Sequence, residues 1–368
     1  MNKTITALAI IMASFAANAS VLPETPVPFK SGTGAIDNDT VYIGLGSAGT
    51  AWYKLDTQAK DKKWKALAAF PGGPRDQATS AFIDGNLYVF GGIGKNSEGL
   101  TQVFNDVHKY NPKTNSWVKL MSHAPMGMAG HVTFVHNGKA YVTGGVNQNI
   151  FNGYFEDLNE AGKDQTAVDK INAHYFDKKA EDYFFNKFLL SFDPSTQQWS
   201  YAGESPWYGT AGAAVVNKGD KTWLINGEAK PGLRTDAVFE LDFTGNNLKW
   251  NKLAPVASPD GVAGGFAGMS NDSLIFAGGA GFKGSRENYQ NGKNYAHEGL
   301  KKSYSADIHL WHNGKWDKSG ELSQGRAYGV SLPWNNSLLI IGGETAGGKA
   351  VTDSVLITVK DNKVTVQN

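Results

Sequence analysis

Leu87-Tyr-Val-Phe-Gly-Gly92 is a short apolar run that ends in a pair of glycines, and the chain repeats this arrangement. Each run is rich in β-branched and aromatic residues, which is typical of a strand buried on both faces. The glycines allow positive φ and close backbone approach where the strand stops. A single strand of this kind cannot bury its own faces, so the repeats predict an array of sheets. Three further clear copies and two looser ones are Tyr141–Gly145, Leu274–Gly279, Leu338–Gly343, Val41–Gly46 and Thr222–Glu228.

The second copy shows how one repeat unit is built. Residues 78–83 have the pattern of a strand, Asp84-Gly85 is typical of a hairpin turn, and the strand at 87–90 follows. Two more strands are predicted at 105–110 and 117–120. The same order recurs in six units with a period of about 45–50 residues where loops are short, which is typical of propeller blades. A glycine pair followed by tyrosine and then tryptophan resembles the kelch repeat, so we predict an all-β fold, a six-bladed kelch-type β-propeller.

Two units carry long insertions between the glycine pair and the third strand, at 146–187 in blade three and 280–302 in blade five. The residue spacing of the first predicts a helical insertion, whereas the second is polar and rich in Gly, Asn and Lys. A long insertion at one rim is typical of a lid or a partner surface, and the sequence leaves both open for blade three. Ring closure is also open, because either 364–366 or 26–29 could complete the last blade.

The first nineteen residues have the pattern of a secretory signal. Lys3 precedes an apolar run at 7–15, and Ala17-Asn-Ala19 has the form of a cleavage site. We therefore expect residues 1–19 to be removed in a bacterial periplasm, which leaves 20–368 as a single propeller domain. The chain contains no cysteine, which suits an oxidising compartment and excludes thiolate metal sites and cysteine nucleophiles. A net charge of +1 predicts neither a nucleic-acid partner nor an anionic membrane partner.

Strand parity predicts which rim carries the chemistry. A four-stranded meander has two ends, and one of them holds the start of strand one, the end of strand two and the start of strand three. The residues before each first strand therefore share a rim with the glycine pairs and the insertions. Arg75 and Arg326 each lie sixteen residues before the first glycine of a pair, and Met128 takes the matching place in blade three. Arginines ringing a channel mouth predict a carboxylate site, since guanidinium pairs bidentately with planar anions. The alternative is a salt bridge between blades.

Blade four departs most from the repeat. Its glycine pair is replaced by Asn226-Gly227, and Glu228 and Arg234 follow. This places a carboxylate at the end of strand two beside an arginine, on the same rim as the other arginines. A partly desolvated carboxylate near guanidinium groups can accept and return a proton. Glu344 follows the last glycine pair in the same way, although both glutamates could instead cap blade edges.

Several enzyme classes are excluded by the motifs that are missing from the sequence. A galactose-oxidase-like copper site requires a tyrosine cross-linked to cysteine, and a sialidase requires Asp-box repeats. No His-x-His or Glu-x-x-His cluster suggests zinc, and no Gly-x-x-x-x-Gly-Lys loop suggests a phosphate site. We therefore predict no metal and no cofactor. Most of the eight histidines are expected to be ordinary surface or core residues.

A signal peptide, six kelch-like units and the segment Asn226-Gly-Glu-Ala-Lys-Pro-Gly-Leu-Arg-Thr235 together resemble the bacterial periplasmic N-acetylneuraminate epimerases, which are sialic acid mutarotases. The resemblance extends over the whole chain. It implies a homodimer without a cofactor that interconverts the α- and β-anomers of N-acetylneuraminate, with Glu228 as the proton acceptor. Such a substrate carries a carboxylate, which we expect Arg234 to hold together with Arg75 or Arg326.

The source of the proton for the ring oxygen stays open at this stage: water, His131 and Glu344 are the candidates. His131 enters this set because it lies three residues after the blade-three position that matches Arg75 and Arg326. Two other functions also remain possible. One is a non-catalytic kelch module that binds a sialylated glycan or a protein partner, and the other is a lyase or hydrolase of sialylated glycans.

Overall fold

The computed structural model describes residues 21–245, 248–258 and 260–368, so the expected signal segment 1–19 lies outside the described residues. The described chain forms six four-stranded antiparallel sheets, each built from one continuous stretch of sequence. Blade one contains the strands Thr33–Asp37, Thr40–Gly44, Trp52–Asp56 and Lys65–Ala66, and blade two contains Thr79–Ile83, Asn86–Phe90, Asp106–Asn111 and Ser116–His123. Blade three contains His131–His136, Lys139–Gly144, Phe188–Asp193 and Gln198–Glu204, and blade four contains Ala214–Lys218, Lys221–Ile225, Val238–Asp242 and Lys249–Leu253. Blade five contains Phe266–Ser270, Ser273–Ala277, Asp307–His312 and Lys315–Glu321, and blade six contains Val330–Trp334, Ser337–Ile341, Ser354–Lys360 and Lys363–Gln367.

The sheets surround a common axis. The first strand of each sheet packs beside the first strand of the next, and the first strand of blade six packs beside that of blade one. This arrangement confirms the predicted all-β propeller. The last blade is completed by Lys363–Gln367, so among the described residues the N-terminal segment contributes no strand to that blade. The N-terminal segment instead bonds to a loop of blade six, where the Phe29 amide donates to the Val351 carbonyl at 2.9 Å.

The glycine pairs mark the point where each second strand must turn away from the axis. Gly91 and Gly92 have φ of 56° and 104°, a conformation that L-residues rarely adopt. In blade four Asn226 and Gly227 take the same two conformations, with φ of 61° and 101°. Asparagine tolerates the left-handed region better than most residues, which explains why the looser copy still folds like the others.

The chain that follows the second strand of blades two, four, five and six makes a small sheet at the same rim, which in blade two also includes Arg75–Asp76 from before the first strand. These accessory strands are Arg75–Asp76, Ile93–Lys95 and Thr101–Val103 in blade two, Glu228–Lys230 and Leu233–Arg234 in blade four, Ala280–Phe282 and Lys302–Tyr304 in blade five, and Glu344–Thr345 and Lys349–Ala350 in blade six. The rim predicted to carry the chemistry is therefore a structured surface and not a set of open loops.

The predicted helical insertion of blade three contains two α-helices, α1 at Gln148–Ala161 and α2 at Gln165–Phe176. The Asn147 side chain caps α1 and the Asp164 side chain caps α2, each by accepting hydrogen bonds from backbone amides of the first turn. A third helix, α3, occupies Ser285–Gln290 in the blade-five insertion. Short 3₁₀ turns lie at Gly46–Ala48, Ala180–Tyr183 and Ala346–Gly348. None of the helices in the described residues is long and apolar enough to cross a membrane.

The apolar core lies between neighbouring blades. Phe90 of blade two and Phe192 of blade three are both fully buried, with ring centroids 5.7 Å apart. The blade-three insertion adds a further cluster on the rim, in which Tyr175 and Tyr183 pack with Ala211 of blade four. The insertion is thus anchored to the propeller by buried aromatic side chains.

One left-handed residue from each blade forms a belt around the axial mouth. These belt residues have φ between 55° and 64° and are Ser31, Gln77, Gly130, Gly212, Gly264 and Tyr328. Backbone hydrogen bonds of 2.7–3.0 Å run from blade to blade through the belt, in the order Gln77 to Ser31, Ser31 to Tyr328, Tyr328 to Gly264, Gly264 to Gly212 and Gly212 to Gly130. The belt joins six separate sheets at the axis.

We predict that Gly264→Ala destabilises the propeller by at least 1–2 kcal/mol, about the cost of a left-handed L-residue. Gly264 has φ of 64°, and an added Cβ would lie 2.3 Å from Cδ1 of Tyr328. Equilibrium denaturation would measure the loss. Gly153→Ala is the matched control, because Gly153 lies inside α1 with nothing within 4 Å of an added Cβ. That control should gain up to about 1 kcal/mol from helix propensity. Equal stability of the two variants would contradict the belt's importance.

Candidate active site

An axial cavity of about 450 Å³ opens inside the belt, and every blade contributes to its wall. Its lining includes Glu228 and Arg234 from the blade-four accessory hairpin, Lys302 from blade five and Glu344 from blade six. The cavity continues along the axis between the first strands of the sheets. Four charged side chains from three neighbouring blades therefore converge on one concave space, which is the usual form of a small-molecule site.

The accessory hairpin of blade four holds Glu228 opposite Arg234. The two residues are paired across its strands, and Pro231-Gly232 forms the turn, with φ of 79° at the glycine. The hairpin is fixed to the propeller by Glu228, whose amide donates to the Ala211 carbonyl at 2.8 Å and whose carbonyl accepts from the Ala211 amide at 3.0 Å. This local pairing explains why two residues six apart in sequence meet in space.

The Glu228 carboxylate forms an ion pair with the Arg234 guanidinium. Their side chains are 21% and 7% exposed, so the carboxylate faces the cavity while the guanidinium lies deeper. Arg234 also donates through Nε to the Ala280 carbonyl at 3.3 Å and through Nη2 to the Tyr328 hydroxyl at 3.4 Å. Burial lowers the pKa of Arg234, and Tyr328 opposes that shift. The arginine is thus held from three directions.

Glu344 lies in the same cavity wall, bound by two lysines and a tyrosine. Oε2 accepts from Lys30 Nζ at 2.7 Å and Oε1 accepts from Lys302 Nζ at 2.5 Å, while the Tyr304 hydroxyl also donates to Oε1. Burial alone would raise the pKa of Glu344, but these hydrogen bonds and the lysine charges lower it to about 2. Glu344 is therefore an ionised carboxylate at neutral pH whose two oxygens already accept from neighbouring groups.

His131 begins the first strand of blade three and lines the cavity beside the belt. Its Nε2 lies 2.6 Å from the Thr79 hydroxyl. Burial lowers the pKa of His131 to about 3, so the imidazole is neutral at physiological pH. The structure thus places three of the predicted residues besides Glu228 around the cavity, namely Arg234, His131 and Glu344.

Arg75 and Arg326 are not among the residues that line this cavity. Their guanidinium groups donate to the carbonyls of Gly91 and Gly342, at 3.0 and 3.1 Å, which are the first residues of the two glycine pairs. The spacing of sixteen residues therefore has a structural origin, because each arginine binds the point where its own second strand turns.

Each of these two arginines also pairs with an aspartate near the third strand of its blade. Arg75 binds Asp106, and Arg326 Nη2 lies 2.6 Å from Asp353 Oδ2. Arg75 and Arg326 are only 3% and 1% exposed. The structure therefore brings them into ion pairs within their own blades and not, as the sequence suggested, to the channel mouth or between blades.

Lys230 is a buried residue of the hairpin that the sequence analysis did not single out. Its ammonium donates to the carbonyls of Phe176, Lys178 and Asn294 at 2.8, 2.5 and 2.5 Å. The first two belong to the end of the blade-three insertion and the third to the blade-five insertion. Burial lowers the pKa of Lys230 to about 8. One lysine thus ties both insertions to the hairpin that carries Glu228.

The two insertions also contact each other directly above this lysine. The rings of Phe176 and Tyr295 stack with centroids 4.9 Å apart, and the Ala180 amide donates to the Tyr289 hydroxyl at 2.9 Å. The two insertions therefore contact both each other and the hairpin that carries Glu228. This geometry places the blade-three insertion against the site, although a dimer contact through its outer surface remains compatible with it.

Tyr328 and Lys302 are two further cavity residues that the sequence analysis missed. The Lys302 ammonium lies 5.2 Å from the centroid of the Tyr328 ring. The sequence gives only weak evidence that these two residues line the site. Tyr328 lies two residues after Arg326, and Lys302 ends the second insertion. Within the described residues no group of three or more His, Cys, Asp or Glu side chains is arranged to hold a metal.

The depressed pKa of Glu344 predicts how its contribution to stability changes with pH. A carboxyl group whose folded-state pKa lies below its ordinary 4.5 stabilises the fold above that value, and the stabilisation is lost as pH falls towards about 2. The difference in melting temperature between the unaltered chain and Glu344→Gln should therefore be largest near pH 7 and shrink between pH 4.5 and 2. Glu98→Gln, at an exposed loop position, is the control. A difference that stays constant down to pH 2 would refute the assignment.

Comparison with known proteins gives one consistent result. The family model described as N-acetylneuraminate epimerase matches residues 22–366. The chain is 98% identical over 368 residues to the N-acetylneuraminate epimerase of Escherichia coli strain K12, and 97% identical to that of Shigella boydii serotype 4, with full coverage of both chains in each case. A solved structure titled "Structure of YjhT" superposes with a TM-score of 0.94 at 98% identity, covering 95% of this chain and 100% of the other. The chain belongs to the N-acetylneuraminate epimerase family.

Proposed function

We propose that this protein is a mutarotase that interconverts the α- and β-anomers of N-acetylneuraminate by assisted ring opening and closure. The observation that carries the proposal is the pairing of Glu228 and Arg234 at the wall of the axial cavity. Support also comes from the family, whose relatives carry the name of this activity over the full length of the chain. The cavity volume of about 450 Å³ lies in the range of small-molecule sites.

The chemistry requires a proton acceptor and a proton donor. The substrate has a carboxylate and a hemiketal at its anomeric carbon. Glu228 takes the proton of the anomeric hydroxyl, the bond between the anomeric carbon and the ring oxygen breaks, and the ring oxygen receives a proton. Rotation of the open keto acid and the reverse transfers close the ring on its other face. A positioned acid or base contributes about 10²–10⁴-fold to such a step.

Two cations are placed to hold the substrate carboxylate. Arg234 and Lys302 both line the cavity, where each forms an ion pair with a cavity carboxylate, Glu228 and Glu344 respectively. Guanidinium suits a planar carboxylate, because it offers two parallel donors, and the ammonium adds a point charge. We assign carboxylate binding to Arg234 and Lys302, since both line the cavity, whereas Arg75 and Arg326 do not.

Glu228→Gln tests the acid–base role. Starting from α-anomer freshly released from a glycoside, proton NMR should show that the acceleration by this variant falls by about 10²–10⁴-fold, because the amide cannot accept the hydroxyl proton. Glu160→Gln, at an exposed position of α1, should match the unaltered protein.

The same NMR time course separates the competing functions. A Glu228→Gln variant as fast as the unaltered chain would remove Glu228 from the mechanism. An unaltered chain that binds the sugar acid without changing its anomerisation rate would identify a binding module for a sialylated glycan or protein. New products from a sialylated glycan would indicate a lyase or hydrolase instead.

We further propose that the chain is exported to the periplasm after loss of residues 1–19 and assembles as a homodimer. Export is supported by the apolar run and cleavage pattern of the N-terminal sequence. Assembly with a second copy is supported by the family resemblance and by an exposed aromatic patch beside the blade-three insertion. The patch comprises Phe184, Phe188 and Tyr201, which are 68%, 40% and 66% exposed.

Osmotic shock of expressing cells should release a protein whose intact mass corresponds to a start at Ser20, and light scattering should give twice that mass. Phe184→Ser with Tyr201→Ser should weaken the dimer, because both remove exposed apolar area, whereas Val118→Ser changes an exposed apolar residue of blade two and serves as the control. A full-length cytoplasmic product would contradict export. A monomeric mass for the unaltered chain would contradict the dimer.

A further inference from the structure

The proposed reaction requires a group that gives a proton to the ring oxygen, and the two side chains named as candidates from sequence are poorly placed for it. Both Glu344 oxygens accept hydrogen bonds from Lys30, Lys302 and Tyr304, which leaves a carboxylate with no proton to give. His131 is buried with Nε2 against the Thr79 hydroxyl. The donor must therefore be sought among the other polar groups of the cavity.

Tyr328 is the belt residue with the most unusual geometry. Its φ of 57° places a bulky aromatic residue in the left-handed region, which is a strained conformation for such a residue. The ring lies directly over Gly264, where any Cβ would come within 2.3 Å of it. Three of the six belt positions are glycine, so the backbone conformation of the belt does not require a tyrosine at position 328. Backbone strain of this kind is typical of positions whose side chains have a function.

The strained backbone directs the Tyr328 hydroxyl to the pair that performs the chemistry. The hydroxyl lies 3.4 Å from Arg234 Nη2, while Arg234 Nη1 pairs with Glu228. The base and the phenol thus flank one guanidinium through its two terminal nitrogens. A sugar whose carboxylate binds this guanidinium would have its anomeric hydroxyl and its ring oxygen, both attached to the adjacent carbon, near the two groups.

Two cations lie beside the Tyr328 phenol. Arg234 faces the hydroxyl and Lys302 lies 5.2 Å from the ring centroid. Glu228 pairs with Arg234 and Glu344 with Lys302, and Tyr304 donates to Glu344. Fixed groups placed where charge develops in the transition state assist proton transfer to a leaving oxygen.

We propose that the Tyr328 hydroxyl is the general acid that protonates the ring oxygen, a proposal that rests on the mutarotase function. As Glu228 takes the anomeric hydroxyl proton, the electron pair of the breaking carbon–oxygen bond moves to the ring oxygen, which takes the phenolic proton. The products are the open keto acid, a protonated Glu228 and a Tyr328 phenolate. Ring closure returns both protons, so the enzyme is regenerated without a co-reactant.

Tyr328→Phe is the direct test, measured as kcat and KM of anomer exchange by proton NMR. It should lower kcat by about 10²-fold or more and change KM by only a few-fold, because the phenol acts in the transition state. Tyr53→Phe, at a half-buried position in the third strand of blade one outside the cavity lining, is the matched control and should keep both constants. Far-ultraviolet circular dichroism and the melting temperature would show that the Tyr328→Phe propeller is folded.

A second variant tests proton transfer without removing the hydroxyl. Replacing Tyr328 with 3,5-difluorotyrosine makes the phenol more acidic, so the alkaline fall in kcat should move to lower pH. A purely structural tyrosine would leave this limb unmoved. An alkaline limb that does not move would overturn the proposal. A kcat of Tyr328→Phe within three-fold of that of the unaltered chain, or an effect of Tyr328→Phe on KM alone, would also overturn it. An unaltered chain that does not accelerate exchange would instead overturn the proposed function itself.

Discussion

The structure depends on a belt of six left-handed residues around the axis, in which backbone hydrogen bonds bridge five of the six junctions between blades. Each sheet is built from its own stretch of sequence, and in the part of the chain that the structure describes no shared strand joins the last blade to the first. The blades must therefore be held by inter-sheet packing and by the backbone hydrogen bonds of the belt. Positive φ at the belt residues accompanies backbone hydrogen bonds that run from blade to blade. The ring and the cavity thus have the same origin.

The belt also determines what the cavity contains. On the side of blades three, four and five the belt residues are glycines, which leave room, and the Glu228 hairpin lies against that side. On the other side Ser31, Gln77 and Tyr328 carry side chains into the space. Three non-glycine residues in a conformation that favours glycine lower stability, and the belt tolerates this because packing between the blades fixes them. The asymmetry of an otherwise repetitive ring therefore coincides with its chemistry.

Sequence reasoning succeeded where structure is local. The glycine pairs predicted where strands end, because two consecutive positive φ values are required there. The pairing of Glu228 with Arg234 was within reach for the same reason, since a Pro-Gly turn joins them. The matched spacing of Arg75 and Arg326 was also a real regularity, but its cause was misjudged. Their guanidinium groups bind the carbonyls of their own glycine pairs, an internal requirement of the repeat that a count along the chain cannot distinguish from a shared binding rim.

The residues that sequence reasoning missed are those whose role depends on distant parts of the chain. Lys230 binds carbonyls 52 to 64 residues away, and Tyr328 meets Arg234 across 94 residues. Nothing within the repeat marks either residue, because the repeat fixes the blade and not what neighbouring blades bring to it. A buried lysine with three carbonyl partners is costly unless every N–H is satisfied, so its presence ties both insertions to the hairpin. The propeller supplies the frame, and these few long-range polar contacts hold the Glu228 hairpin at the cavity.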